Sequence, residues 1–239
     1  MALSGRNCLL GNLHQSTFTC VSSISDTEAV ICSDSGVVCF LDDSNNQQKL
    51  QYVKRFDIGV SSVVVDSNSG FIWFGGRSRQ LEKCSIDEMR SSPMISPTSA
   101  NIDTQPCPTP KKASIVSMGI IDTHMITVDS SRTLRICPLD PLSKDNIESV
   151  ADVSVSAHRD SVLGISTVET PNSKSSDFFT WSCGGTVRFW NVNGTCCDTY
   201  KVDLEQISDE DEDANELKVL RATGGIKMFV SGDRYGVVR

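Results

Sequence analysis

The feature that most constrains the fold is a short unit that recurs along the whole chain. Each unit contains three apolar runs of strand length, and a tight turn separates the last two runs. The first residue after this turn serves as the reference position of the unit. The reference positions are Val37, Gln80, Thr133, Thr186 and Val237, which lie 43, 53, 53 and 51 residues apart. The residue after each of them is apolar, so the five units share one register.

The three runs of each unit predict three β-strands, of which the last two form a hairpin. The first runs are residues 18–21, 60–65, 115–120, 162–165 and 217–220. β-Sandwiches and β-barrels also have many short strands joined by frequent turns, so they are the alternative architecture. The common register favours a repeat protein, in which each unit buries its faces by stacking on its neighbours.

The fourth unit is the most regular of the five. Its opening segment, residues 157–165, reads AHRDSVLGI, and its hairpin, residues 180–191, reads TWSCGGTVRFWN. The opening resembles the Gly-His…Val-x-x-Val pattern of a WD40 repeat, and the run that ends in Trp190 resembles the last hairpin of that repeat. The resemblance is specific only between residues 157 and 191, and it covers nearly the whole chain as a pattern. It implies an all-β fold, a WD40-like β-propeller in which each unit is one blade.

About five blades are visible in residues 1–239, and the fifth is incomplete because its reference position lies two residues before Arg239. WD40 propellers usually have seven or eight blades. The resemblance therefore implies a propeller domain that is incomplete at its C-terminal end and belongs to a seven- or eight-bladed ring. A closed five-bladed ring is the alternative.

The resemblance also implies a buried hydrogen-bond network that makes a blade rigid. In WD40 repeats this network joins a His, a Ser or Thr, an Asp and a Trp. The matching positions are His158, Thr180 or Ser182, and Trp190. Gly184 stands at the Asp position, so we expect the network to lack its anion. His158 is expected to be a structural core residue and not a ligand.

Residues 87–112 interrupt the repeat between the second and third units. They are rich in Pro, Ser and Thr and almost free of large apolar residues, which predicts a disordered insertion that contributes nothing to folding. Ser92, Ser96 and Thr109 each precede a proline, as proline-directed kinases require, and Thr109 resembles a cyclin-dependent kinase site. The segment is therefore either a plain linker or a regulatory loop.

Residues 203–216 predict a second inserted loop, between the fourth and fifth units. The segment contains eight acidic residues and no basic residue, and Ser208 resembles a casein kinase 2 acceptor because five acidic residues follow it. A solvated acidic loop that keeps the protein soluble is one interpretation. A docking strip for a basic partner is the other.

The sequence contains no pattern that would hold a cofactor, a metal or a catalytic centre. There are only three His residues, no C-x-x-C pair, no G-x-S-x-G motif and no complete glycine-rich phosphate loop. We therefore expect a protein that is not an enzyme and binds neither a cofactor nor a metal.

The charge and the cysteine content restrict the kinds of partner that the protein is expected to bind and the cellular compartment in which we expect it. Eight of the 30 acidic residues lie in residues 203–216, and the other 22 balance the 22 basic residues, which disfavours direct nucleic-acid binding. No apolar stretch approaches the roughly 20 residues that span a membrane, and no secretory signal is visible. Most of the ten cysteines fall in predicted strands, as reduced thiols do in a cytoplasmic or nuclear protein that is not secreted.

These observations predict a non-enzymatic WD40-like scaffold that binds other proteins in a multi-subunit complex and is regulated by phosphorylation of its loops. One alternative is an accessory propeller that recruits substrates for a larger enzyme or ubiquitin-ligase complex. A second alternative is a structural subunit of a coat or pore assembly.

Overall fold

The computed structural model describes residues 17–43, 49–56, 59–91, 113–139, 151–167, 177–201, 217–223 and 228–233. The chain divides into two compact units, Met1–Lys112 and Ala113–Arg239. Nearly all of the described secondary structure is antiparallel β-sheet. The 3₁₀ turn Arg77–Arg79 and one short α-helix are the exceptions among the described residues.

The part of the first unit that the structure describes forms two antiparallel sheets. Its four-stranded sheet has the order β1-β2-β3-β4 and consists of Phe18–Ser23, Glu28–Ser33, Val37–Asp42 and Lys49–Arg55. Its three-stranded sheet has the order β5-β6-β7 and consists of Val60–Asp66, Phe71–Gly76 and Leu81–Ser85. The helix α1, Ile86–Ser91, follows β7 directly.

In the described residues of the second unit there are two four-stranded sheets and a two-stranded one. The first consists of β8 (Ile115–Ile121), β9 (His124–Asp129), β10 (Thr133–Pro138) and β11 (Val153–Ser156). The second consists of β12 (Val162–Thr167), β13 (Phe178–Ser182), β14 (Thr186–Trp190) and β15 (Cys196–Lys201). The third pairs β16 (Leu217–Thr223) with β17 (Met228–Asp233).

The predicted hairpin register is present in the first four repeats. The backbone is left-handed at the residue just before each reference position, with φ of 83° at Gly36, 58° at Arg79, 67° at Arg132 and 74° at Gly185. This is the arrangement of a turn whose last residue adopts the αL conformation, which glycine tolerates best. The two arginines show that the turn is maintained even where the sequence lacks glycine. Val237, the fifth reference position, lies outside the described residues.

A β-bulge recurs at the start of the first strand in all five repeats. The pairing with the second strand skips one residue between Phe18 and Cys20, and the same shift follows Val60, Ile115, Val162 and Leu217. In every case the bulge lies opposite the residue four positions before the reference position. The fifth repeat therefore keeps the common register through β16 and β17.

The sequence prediction missed the fourth strands β4, β11 and β15. β15 is exposed at all six residues and β11 alternates between half-buried and exposed residues, so neither has the fully buried run of an inner strand. The uniformly exposed β15 carries no apolar pattern, and the four residues of β11 are too few to establish one. The three predicted strands of each of the first four repeats, and the first two of the fifth, are present.

Each unit has its own apolar core between neighbouring sheets. In the first unit, Val30 and Phe40 of one sheet and Ile72 and Phe74 of the other belong to one buried cluster. In the second unit, the buried cluster joins residues of β9 and β10 to Phe178 and Trp190. Within each unit the first strands lie against each other, β1 against β5 and β8 against β12.

The helix α1 corrects the predicted boundary of the disordered insertion 87–112. Residues 87–91 belong to α1, and Met89, 1% exposed, is part of the core cluster of the first unit. The Ser85 hydroxyl accepts a hydrogen bond from the Glu88 amide at 3.0 Å, as an N-cap does. Ile86 and Met89 are three residues apart and so share one helix face, a short signal that the polar composition of the segment obscured.

The beginning of the insertion therefore contributes to folding, contrary to the sequence prediction. The Arg90 guanidinium holds the Glu28 carboxylate in a two-point hydrogen bond at 2.9 and 2.7 Å, which links α1 to β2. Residues 92–112 lie outside the described part of the chain, as does the predicted acidic loop 203–216.

Candidate functional site

The best-defined polar site in the structure is a hydrogen-bonded group in the fourth repeat. The Thr180 hydroxyl accepts a hydrogen bond from Trp190 Nε1 at 2.9 Å and lies 2.7 Å from His158 Nε2. β13 supplies Thr180, β14 supplies Trp190, and the segment before β12 supplies His158. All three side chains are buried. The structure thus brings together three of the four residues expected from the resemblance.

Ser182 does not belong to this group. Its hydroxyl donates to the Thr186 carbonyl oxygen across 3.5 Å, which is a long hydrogen bond within its own turn. Thr180 and Ser182 were alternatives for one position, and they are two residues apart on the same strand. The geometry therefore assigns the position to Thr180.

Burial keeps the His158 ring neutral. Removal from water is the largest cause that lowers the pKa of His158, and the nearby Arg188 guanidinium acts in the same direction. Thr180 and Asp160 oppose them, and the net result is a pKa of about 4. His158 Nδ1 has no hydrogen-bond partner among the described residues. A ring in this environment is expected to support packing and is poorly suited to gain a proton near neutral pH.

Asp160 supplies a carboxylate beside the hydrogen-bonded group, which the sequence analysis expected to lack an anion. A Cβ atom on Gly184 would overlap the Asp160 carboxylate, so that carboxylate occupies the space beside the turn. Its charge raises the pKa of His158, as expected for an anion close to the ring. The group therefore keeps a nearby carboxylate, which comes from the loop before β12 and not from the turn.

The third repeat contains a second buried polar group, which the sequence analysis did not identify. The Arg135 guanidinium donates to Asp129 Oδ2 at 2.5 Å, and both side chains are buried. Burial opposes ionisation of Asp129, but hydrogen bonds from Ser131 and Arg135 outweigh it and lower the pKa of this carboxyl group. The signal in the sequence was weak, because an Asp in a turn usually caps the turn in solvent.

The exposed strand β15 offers the clearest surface feature. Tyr200 is 42% exposed, and its hydroxyl donates to Asp198 Oδ2 at 2.6 Å. Its ring packs edge-on against Phe189, with 5.6 Å between the ring centroids. Phe189 in turn contacts Phe179, and Phe179 contacts Trp181. Tyr200 is thus the exposed end of a row of rings that begins inside the sheet.

The described residues meet neither the requirements of a metal site nor those of a membrane-spanning helix. Within them, no group of three or more His, Cys, Asp or Glu side chains is arranged to hold a metal ion. In the same residues, no helix has the length and apolar character needed to cross a bilayer. The candidate phosphorylation residues Ser92, Ser96, Thr109 and Ser208 lie outside the described ranges.

Comparison with solved structures identifies the fold. The WD40 β-propeller domain of Doa1 matches with a TM-score of 0.62 and 17% identity, over 93% of this chain and 64% of that one. The fold is that of a WD40-like β-propeller. The predicted fold class is confirmed, and the alternative sandwich or barrel is wrong. No model of a known protein family matches the sequence, and no curated protein matches it.

Two further propeller-like matches come from assemblies. A chain of the mitotic checkpoint complex matches with a TM-score of 0.61 and 10% identity, over 92% of this chain and 58% of that one. A chain from the structure of BBS1N in complex with ARL6DN matches with a TM-score of 0.59 and 13% identity, over 94% and 65%. The present chain spans about three fifths of the length of these three structures. The number of blades in its propeller stays a prediction.

Proposed function

We propose that the protein is a non-enzymatic propeller scaffold that binds other proteins in a multi-subunit complex. The single observation that carries the proposal is the propeller fold, which presents loops and strand edges on rigid sheets. Similar chains occur in the mitotic checkpoint complex and in the BBS1N–ARL6DN complex, which supports protein partners. The buried His158 group fits this role because it makes a repeat rigid without offering a reactive centre.

Strand β15 is the contact surface that we propose. It is the last strand of its sheet in the described part of the chain, and all six of its residues are exposed. Tyr200 is held in place by Asp198 and Phe189, so little side-chain freedom would be lost when a partner covers it. Tyrosine is also among the residues enriched at the energetic centres of interfaces.

The test is quantitative affinity purification of the full-length protein from cells. Tyr200→Ala removes the proposed anchor, and Thr199→Ala is the matched control because Thr199 lies on the opposite face of the same strand. We expect at least one stoichiometric partner that Tyr200→Ala loses and Thr199→Ala retains, at unchanged melting temperatures. Equal recovery in both variants would exclude this strand as the contact. The absence of any stoichiometric partner of the unaltered protein would contradict the scaffold itself.

We further propose that phosphorylation of the inserted loops regulates partner binding. Ser92, Ser96 and Thr109 precede prolines, Ser208 precedes an acidic run, and each phosphate would add about −1.5 to −2 charges. Because α1 packs on the core, the appropriate deletion removes residues 93–110 and retains Met89 and Arg90. We expect an unchanged melting temperature and, when Ser208→Ala is combined with the deletion, partner recovery that no longer responds to phosphatase. Recovery that is insensitive to both deletion and phosphatase would identify a plain linker.

A further inference from the structure

One pair of cysteines in the first unit is placed directly opposite across two strands. Cys20 of β1 is the register partner of Cys32 of β2. Of the cysteines in the described strands, these are the two that pair with each other, since Cys39 lies opposite Ile31 and Tyr52, and Cys137 opposite Met125. Both are free thiols in this structure.

The backbone geometry of such a pair suits a disulfide. Directly opposite residues of antiparallel strands have Cα atoms about 4.5–5.5 Å apart. Disulfides span Cα separations of about 4.4–6.8 Å, so the two distances overlap. Strand pairing therefore places these sulfur atoms within reach of one bond without a large movement of either strand.

The two thiols differ in exposure and in acidity. Cys32 is fully buried in the core of the first unit, whereas Cys20 is half-buried and packs at the margin of that core. A hydrogen bond from the Cys32 thiol lowers the pKa of Cys20 despite partial burial. The same interaction, together with burial, raises the pKa of Cys32. Cys20 is thus the thiol that an oxidant can reach and that more readily supplies a thiolate.

We propose that Cys20 and Cys32 form a reversible disulfide when the protein meets hydrogen peroxide. This modification site goes beyond the scaffold function and does not depend on it. The Cys20 thiolate attacks one peroxide oxygen, which breaks the O–O bond, gives a sulfenic acid on Cys20 and releases hydroxide. The Cys32 sulfur then attacks the sulfenic sulfur, forms the S–S bond and expels the oxygen as water. Two thiols lose two electrons in total, and one peroxide becomes two waters.

The fold also indicates what the bond would do. β1 lies against β5 of the neighbouring sheet, and the Thr19 hydroxyl donates to the Val60 carbonyl oxygen at 2.5 Å. A bond from Cys20 to Cys32 would close the chain from β1 to β2 into one covalent loop. It would therefore hold β1 on its sheet at the place where the two sheets of the first unit meet.

The test treats the folded full-length protein with hydrogen peroxide, blocks remaining thiols with N-ethylmaleimide and maps the linked peptides. Cleavage after acidic residues separates Cys20 from Cys32 and Cys32 from Cys39, because Asp26 and Glu28 lie between the first two and Asp34 lies between the second two. Fragmentation of the peptide that ends at Asp26 then distinguishes Cys20 from Cys8. We expect a peptide pair that joins Cys20 to Cys32 and separates on addition of dithiothreitol. The variant Cys39→Ser is the matched control, since Cys39 is buried nearby but lies opposite other residues, and it should form the same link.

A second measurement traps the sulfenic acid on Cys20, and it does not depend on isolating the disulfide-linked protein. In Cys32→Ser the hydroxyl can still donate to the Cys20 sulfur, but the sulfenic acid on Cys20 has no resolving thiol, so trapping by dimedone should rise severalfold over the unaltered protein. A link from Cys20 to a different cysteine would overturn the proposal. Oxidation of Cys20 to sulfinic acid would also overturn it, if Cys32 in the same molecules can still be alkylated after unfolding. Equal trapping by dimedone in the variant and the unaltered protein would contradict it as well.

Discussion

The third and fourth repeats place polar side chains at equivalent positions but connect them differently. Asp129 and Ser182 both lie four residues before their reference positions, and Arg135 and Arg188 lie two residues after them. In the third repeat the carboxylate binds the guanidinium directly. In the fourth repeat Arg188 donates instead to the Ala157 carbonyl oxygen at 2.7 Å.

The difference shows that the hairpin does not depend on one kind of buried polar group. The third repeat uses a charged group, in which Asp129 also accepts the backbone amides of Ser131 and Thr133. The fourth repeat uses a neutral chain of hydrogen bonds through Thr180, combined with the large apolar area of Trp190. We expect the first arrangement to be sensitive to loss of charge and the second to loss of volume.

The largest expected effect is that of Trp190→Ala. Removal of this buried ring from the core should lower the free energy of unfolding by about 3–5 kcal/mol, because it leaves a cavity. His158→Ala should lower it by only about 1–2 kcal/mol, since its contribution comes chiefly from one hydrogen bond. Urea titration of both variants measures the difference. Equal losses would mean that the hydrogen bonds, and not packing, dominate the fourth repeat.

Asp129→Ala should destabilise the third repeat by about 3 kcal/mol, because it leaves the Arg135 guanidinium buried without its carboxylate. The double variant Asp129→Ala with Arg135→Met removes both charges and should recover a large part of that loss. The measurement is a double-mutant cycle from urea titrations. Losses that simply add would show that the two charges do not act as a pair.

The contributions of the two repeats to stability should be lost over different pH ranges. Since the folded pKa of His158 is about 4 and its ordinary value is 6.5, the unfolded chain binds this proton more readily. The His158 contribution is thus fully present above pH 6.5 and decreases as the pH falls towards 4. The lowered pKa of Asp129 instead gives stability that is present above its ordinary value of 3.8 and is lost below it.

The corresponding measurement compares unfolding free energies of the unaltered protein and His158→Gln between pH 7 and pH 4. The variant should lose less stability over this range because it lacks the titrating ring. Parallel curves for the two proteins would contradict a neutral, buried His158.

The smallest expected effect concerns Gly184→Asp, which restores the carboxylate of a regular WD40 turn. The new side chain would collide with the Asp160 carboxylate and repel it, at a cost of about 1 kcal/mol. In the Asp160→Ala background the same change should cost nothing measurable. A cost that is equal in both backgrounds would show that Asp160 does not occupy the place of the missing anion.

The sequence predicted the features that depend on buried apolar periodicity. The reference positions predicted the starts of β3, β10 and β14, and β7 begins at Leu81, one residue after the second reference position. The resemblance to a WD40 repeat implied that His158 and Trp190 would share one hydrogen-bond network, and the structure joins both through Thr180.

Features that depend on contacts between distant segments were not predictable in this way. Asp160 lies next to Gly184 because a loop and a turn of one sheet meet, and no spacing in the sequence reports that approach. Met89 enters the core from a segment whose composition is otherwise polar. Tyr200 is exposed, so no apolar pattern marked its strand.

The bulge shared by all five repeats has a consequence for exchanging parts between them. Its unpaired residue, such as Thr19, shifts the alternation of inward and outward side chains on the first strand by one position. Because the shift occurs at the same place in each repeat, a chimera that swaps whole first strands would keep every inward side chain facing the core. A chimera joined between the bulge and the end of the strand would also keep this alternation, provided that the exchanged segments contain the same number of residues. Removal of the single bulged residue would instead turn the residues before it to the opposite face, and the damage would be confined to the beginning of that one strand.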